Sequence, residues 1–210
     1  MSQAADSLKL VLRGGTTPIN NPEEMLRRYT DPIDMFYLEY KGVTDQDKLF
    51  PEDVAITLAF NSRASKKTVY SLRDCSFDLS AIPDTQLEET TPQERSILAN
   101  LVVEMANLPG IQASIATKIL HKKRPKLIPV LDNKAIFGAY MNLNPPDAKK
   151  NFNGAKKTIE QTLQCIHNDL IANKNVWPEL KKRAHGRTSI QIFDMIWWQY
   201  FIEKQTGEKK

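Results

Sequence analysis

Apolar residues recur at helical intervals along most of this chain. Ile97, Leu98, Leu101, Val102 and Met105 share one face of a helix opened by Thr91-Pro92-Gln93-Glu94, a capping box with proline inside it. Ile115, Ala116, Ile119 and Leu120 predict a second helix directly after Leu108-Pro109-Gly110. Ile136, Phe137, Tyr140 and Met141 predict a short helix behind Asp132-Asn133. Ile159, Leu163, Ile166 and Leu170 predict a long one after the turn Asn144-Pro145-Pro146-Asp147. Pro178 opens a short basic helix, and Ser189 stands as the cap of a last helix with Phe193, Ile196, Trp197, Tyr200 and Phe201 on one stripe. Nearer the N-terminus, Asn21-Pro22-Glu23-Glu24 and Asp31-Pro32 are successive helix starts, the second leading into Phe36, Tyr37 and Tyr40. A further helix runs from Pro51-Glu52-Asp53 towards Phe60, and residues 61–67 read as a polar, basic connection.

The pattern predicts an all-α fold. Residues 1–20 read as a flexible N-terminal arm in which Leu8 to Leu12 has the makings of a short strand. Residues 21–205 read as one helical domain and 206–210 as a tail.

With 210 residues, 41% hydrophobic and 26% charged, the chain is long enough and ordinary enough to bury a sizeable core. No apolar run approaches the ~20 residues of a membrane span, and Met1 to Asp6 lacks the layout of a secretory leader. A cytoplasmic protein with no membrane association is expected. Cys75 and Cys165 are far apart and read as reduced core thiols, while His121, His167 and His185 share no ligand spacing. No metal and no cofactor is expected.

Net charge, +4, says little until its distribution is read. Residues 20–53 hold nine acids against four bases. Residues 113–131 hold five bases, Lys118, Lys122, Lys123, Arg124 and Lys126, and no acid. A second basic stretch carries Lys174, Lys181, Lys182, Arg183 and Arg187 against Glu179. Such asymmetry fits either a polyanion on one face or a solvated helix surface.

The segment from Leu108 to Leu120 reads as two helices joined by a tight hairpin. Gly110 permits positive φ, Ile111 points back into the core, and Ala113 and Ala116 allow close helix approach. The free N–H groups of the second helix, around Gly110, Gln112 and Ser114, offer a phosphate site that Lys118 and Lys122 reinforce. His121 reads as a further phosphate-facing group.

Leu108-Pro109-Gly110-Ile111, Ala116, Leu120 and Val130-Leu131-Asp132 resemble the helix-hairpin-helix and Gly/Pro-rich-loop-Asp motif of DNA glycosylases (hairpin 97–123, Asp-bearing loop 124–133), with Asp132 standing 22 residues after Gly110. More loosely, Pro51-Glu52-Asp53-Val54-Ala55, Leu127 to Asp132 and Phe193-Asp194-Met195-Ile196-Trp197 make the whole chain similar to an uncharacterised bacterial family related to those enzymes. The resemblance implies two helical lobes with the hairpin and Asp132 at their cleft, double-stranded DNA as partner, and Asp132 as the catalytic carboxylate. An ionised carboxylate can stabilise the oxocarbenium-like sugar formed as a base leaves. Asp132 at a helix start also fits a plain capping role, and the two roles coexist.

Three departures shape what is implied. Ser114 stands where bifunctional members carry a nucleophilic lysine, so Schiff-base strand cleavage is not expected. Gln112 replaces the second hairpin glycine, and Asn133 follows Asp132 with no cysteine cluster near the C-terminus. The expected function is therefore DNA binding with monofunctional base excision. The alternative is a non-catalytic helical protein that binds DNA or a protein partner.

Overall fold

The computed structural model describes residues 8–29, 45–59, 62, 64–75 and 77–207. These residues are mostly helical, with one two-stranded antiparallel hairpin. The expected helix with Phe36, Tyr37 and Tyr40 lies outside the described residues.

The stretch expected to be a loose arm is built into the fold from residue 8 onward. β1 (Leu10–Leu12) pairs with β2 (Thr17–Ile19), and Leu10, Leu12 and Ile19 are buried. Arg13 and Gly14 both take positive φ at the turn, and their N–H groups donate to the Asp169 carboxylate at 2.5 and 2.9 Å. The amide of Asn173 accepts from the Val11 N–H and donates to the Val11 carbonyl, occupying a strand edge that would otherwise be left unpaired. Side chains some 160 positions away thus order a hairpin whose strands are only three residues long.

α1 (Pro22–Arg28) follows, with proline in its first turn and Glu23 and Glu24 against the dipole. A 3₁₀ turn (Pro51–Ala55) runs into α2 (Ile56–Ala59). Part of the connection expected over 61–67 is already helical: α3 (Lys66–Arg73) is capped by Ser65, whose Oγ accepts from the Thr68 N–H. α4 (Pro92–Ala106) begins at the Thr91 capping box as the sequence predicts. Its buried side is wider than the predicted stripe and includes Ala99 and Val103, whereas Ile97 is 42% exposed. α4 packs along α6 (Phe152–Ala172) and against α5 (Ala113–Lys123).

Asn133–Tyr140 forms a π-helix, wider than the α-helix its periodicity suggests. The Phe137 and Met141 N–H groups reach back five residues, to Asp132 and Ile136 at 3.0 and 2.8 Å. α7 (Trp177–Arg183) leads to α8 (Ser189–Gly207), which continues into the residues expected to be a tail. Thr188, not Ser189, caps α8: its Oγ accepts from the Gln191 N–H, and the Gln191 side chain accepts from the Thr188 N–H. Ser189 is buried and donates to Glu88 instead. One continuous core joins α4, α5, α6 and α8 with the β-hairpin and the π-helix, and buries Phe137, Phe193 and Trp197.

Candidate nucleic-acid interface

The hairpin between α4 and α5 has the shape its sequence predicts. Gly110 takes φ +79°, Ile111 is fully buried, and the residue just ahead of α5, Gln112, is exposed and extended. A second helix start converges on the same point. Thr68 of α3 donates to the Gly110 carbonyl at 2.9 Å and Ser71 to the Pro109 carbonyl at 2.8 Å. A Cβ on Gly110 would sit 3.0 Å from Ser65 Oγ and from the Thr68 nitrogen, so glycine is required by space as well as by φ. Lys66 and Lys67, both exposed, therefore flank the hairpin. Their sequence signal was present: a serine cap ahead of two lysines within the polar connection.

The acid-free stretch does not present all its cations to solvent. Lys118, Lys123 and Arg124 are 6%, 4% and 4% exposed. Lys123 pairs with the buried Asp53 at 3.0 Å and donates to the Asp45 carbonyl. Arg124 pairs with Asp47 at 2.6 Å and donates to the carbonyls of Gln46 and Leu79. Residues 45–53 thus supply the partners of Lys123 and Arg124, with the Lys123–Asp53 pair enclosed and Asp47 at the surface. Ser114 is buried, Lys122 is half-buried and Lys126 is exposed. The cationic surface at the hairpin is narrower than the sequence suggests, and part of it comes from α3.

His121 does not face a phosphate site. It is buried, and its Nδ1 bonds to the Ile128 carbonyl, so it faces the proline-rich loop and not a phosphate. Burial lowers its pKa to about 4 against a smaller opposing effect of that carbonyl, and the ring is neutral at pH 7.

The loop carrying Asp132 is held from two sides. The buried Thr117 hydroxyl accepts from the Leu131 N–H at 3.0 Å, and Asp194 of α8 accepts from the Val130 N–H at 3.2 Å. Asp194 Oδ1 is buried without a hydrogen-bond partner, and burial raises the pKa of its carboxyl well above the usual range. Asp132 then caps the π-helix: Oδ1 accepts from the N–H groups of Lys134 and Ala135 at 2.8 and 2.9 Å. The cap bonds all fall on one oxygen. Burial lowers the pKa of Lys118, partly opposed by the Asp132 carboxylate, and Lys118 donates to Ser62 Oγ at 2.5 Å.

Beside the hairpin is a cleft of about 290 Å³, walled by Ile111, Gln112, Ala113, Asn133, Pro146 and Lys149 among others. It joins the start of α5 to the residue after Asp132, while Asp132 itself is not among its walls. Trp177 and Trp197 are core residues, their indole N–H groups donating to the Leu170 and Ala135 carbonyls. In the second basic stretch, Lys182 pairs with Glu179 and Arg183 with Glu23, both near the surface. Cys75 and Cys165 are half-buried free thiols. Among the described residues no group of three His, Cys, Asp or Glu is placed to hold a metal ion, and no helix is long and apolar enough to cross a membrane.

Over residues 26–201 the sequence matches DUF6308, a family of unknown function, and the chain belongs to that family. No curated protein and no solved structure matches it.

Proposed function

We propose that this DUF6308 member binds duplex DNA as a helix-hairpin-helix protein of the glycosylase type and hydrolyses an N-glycosidic bond without cutting the strand. A two-lobed, glycosylase-like arrangement belongs to the same reading. In this reading the N–H groups at Gln112 and Ser114 meet a backbone phosphate, with Lys66 and Lys67 adding charge from α3. Asp132 faces the sugar of a base turned out of the stack, and its carboxylate stabilises the cation formed as the base departs.

The observation that supports this best is the coupling of hairpin and carboxylate through one helix. α5 begins at the hairpin, and its Thr117 ties down Leu131, the neighbour of Asp132. Asp132 also divides its labour: Oδ1 takes both cap bonds, and Oδ2 takes none among the described residues. The rival reading, a scaffold that binds DNA without chemistry, draws on the same cap and on the absence of Asp132 from the cleft wall.

Fluorescence anisotropy with duplex DNA at low salt tests the binding. The wild type binds, the affinity falls steeply with salt, and Lys66→Glu/Lys67→Glu weakens it by more than about 1 kcal/mol. No binding by the wild type overturns the proposal. A panel of damaged duplexes tests the chemistry: the wild type releases free base and leaves alkali-labile sites. Asp132→Asn, which still caps, keeps fold and binding and slows release on the order of a hundredfold. Binding without release from any duplex selects the scaffold reading.

A further inference from the structure

Arg95 sits on the inward face of α4, three residues before Leu98, and is 4% exposed. Its Nη1 donates to the Thr90 carbonyl and to Thr90 Oγ1, and its Nη2 donates to Gln164 Oε1 at 2.9 Å. All three acceptors are neutral, and Nε is buried without a hydrogen-bond partner. The adjacent Glu94 is committed to the Thr91 cap. A buried guanidinium held only by neutral groups has exchanged water for weaker company, an arrangement that a charged acceptor would improve.

A groove of about 640 Å³ adjoins this guanidinium, between the first turns of α4, the middle of α6 and the segment leaving the π-helix. That volume lies in the usual range for small-ligand sites, roughly 300–1,000 Å³. Pro92, Met141 and Leu143 form its apolar side, and Arg95, Gln161 and Gln164 contribute the polar side. Glu160 on the wall pairs with Lys156 at 3.0 Å, and Lys156, just behind the wall, also donates to the lining residue Ser96, so the Glu160 charge is offset and that of Arg95 is not.

We infer that this groove is a binding site for a small organic monocarboxylate, whose anionic head takes the place of the Gln164 oxygen on Arg95. A guanidinium has five N–H donors; with the Gln164 oxygen displaced, three are open, one on Nε and two on Nη2, and a carboxylate accepts from Nε and Nη2 together. The apolar body of the ligand lies on Pro92, Met141 and Leu143. A phosphate dianion would bring two charges to a wall that offers one. The site is independent of the DNA-binding reading, because neither the hairpin nor Asp132 contributes to it.

Sodium benzoate is the probe, titrated into the full chain and followed by ¹H–¹⁵N NMR, with benzamide and phenyl phosphate as controls. Saturable shifts at Arg95, Ser96, Leu143 and residues 160–165 are expected with benzoate and not with neutral benzamide. Arg95→Gln should weaken binding by about tenfold or more, as loss of a charge-assisted bond implies. Gln161→Trp, which fills the groove from the exposed side of α6, should abolish it with the helical circular dichroism unchanged, and serves should Arg95→Gln not fold. No saturable benzoate shift, equal shifts with benzamide, or unaltered binding in a folded variant overturns the proposal. Tighter binding of phenyl phosphate than of benzoate overturns the assignment to carboxylates.

Discussion

Thr117 and Leu131 are joined by a buried bond in which the threonine hydroxyl accepts the leucine N–H at 3.0 Å while donating to the Ala113 carbonyl. One hydroxyl thus satisfies an orphan in the proline-rich loop and fixes Asp132 relative to α5. Thr117→Val keeps the shape and strands the Leu131 N–H, at a cost of about 1–3 kcal/mol, whereas Thr117→Ser keeps the acceptor and most of the stability. Urea denaturation of the three proteins measures both. An unchanged midpoint in Thr117→Val would show that the bond contributes nothing.

Gly110→Ala should destabilise the protein by roughly 2 kcal/mol or more, since alanine would be held at strained φ with its Cβ against the Thr68 nitrogen. The N-terminal end of α3 must move to admit it. Thermal unfolding reads the loss, and a melting temperature equal to that of the wild type would mean the hairpin relaxes freely.

Asp53 and Lys123 form a buried pair, their side chains 4% and 2% exposed. Removing one partner leaves the other charged and enclosed. Lys123→Met and Asp53→Asn should therefore each cost about 3–5 kcal/mol, with the double variant losing clearly less than the sum. Additive losses in a double-mutant cycle would mean that the pair is not coupled.

His121 gives the protein a pH-dependent stability. Its pKa falls from 6.5 to about 4 on folding, so between these values the unfolded chain binds the proton that the native state refuses. This contribution is complete above pH ~6.5 and is lost on acidification at about 1.4 kcal/mol per pH unit, approaching 3 kcal/mol near pH 4. The buried carboxyls of Asp169 and Asp194, whose pKa values are raised, act in the opposite direction. The comparison with His121→Gln, which can still donate to Ile128, isolates the histidine. Parallel stability profiles for the two proteins between pH 7 and 4 would refute the assignment.

Local signals determined the helical architecture. The Thr91 box, the Pro22 and Pro51 starts, the Asp132 cap and the hairpin glycine act within a few residues of themselves, and each stands where the sequence put it. Gly110 is the plainest case, because a positive φ is a local demand that few other residues meet. The partners of the charged residues were decided elsewhere. Lys123 and Arg124 look like a cationic surface in the sequence and become internal once residues 45–53 fold over them, a pairing that spans nearly 80 positions. The β-hairpin is ordered by Asp169 and Asn173, and Arg95 is enclosed because its turn of α4 faces α6. The extra residue in each hydrogen-bonded step of the π-helix gives no separate sign in the apolar spacing. Helix starts and glycine turns follow from backbone chemistry that each segment carries alone. Which charges are buried, and against what, depends on contacts between distant segments, and only the tertiary structure could decide it.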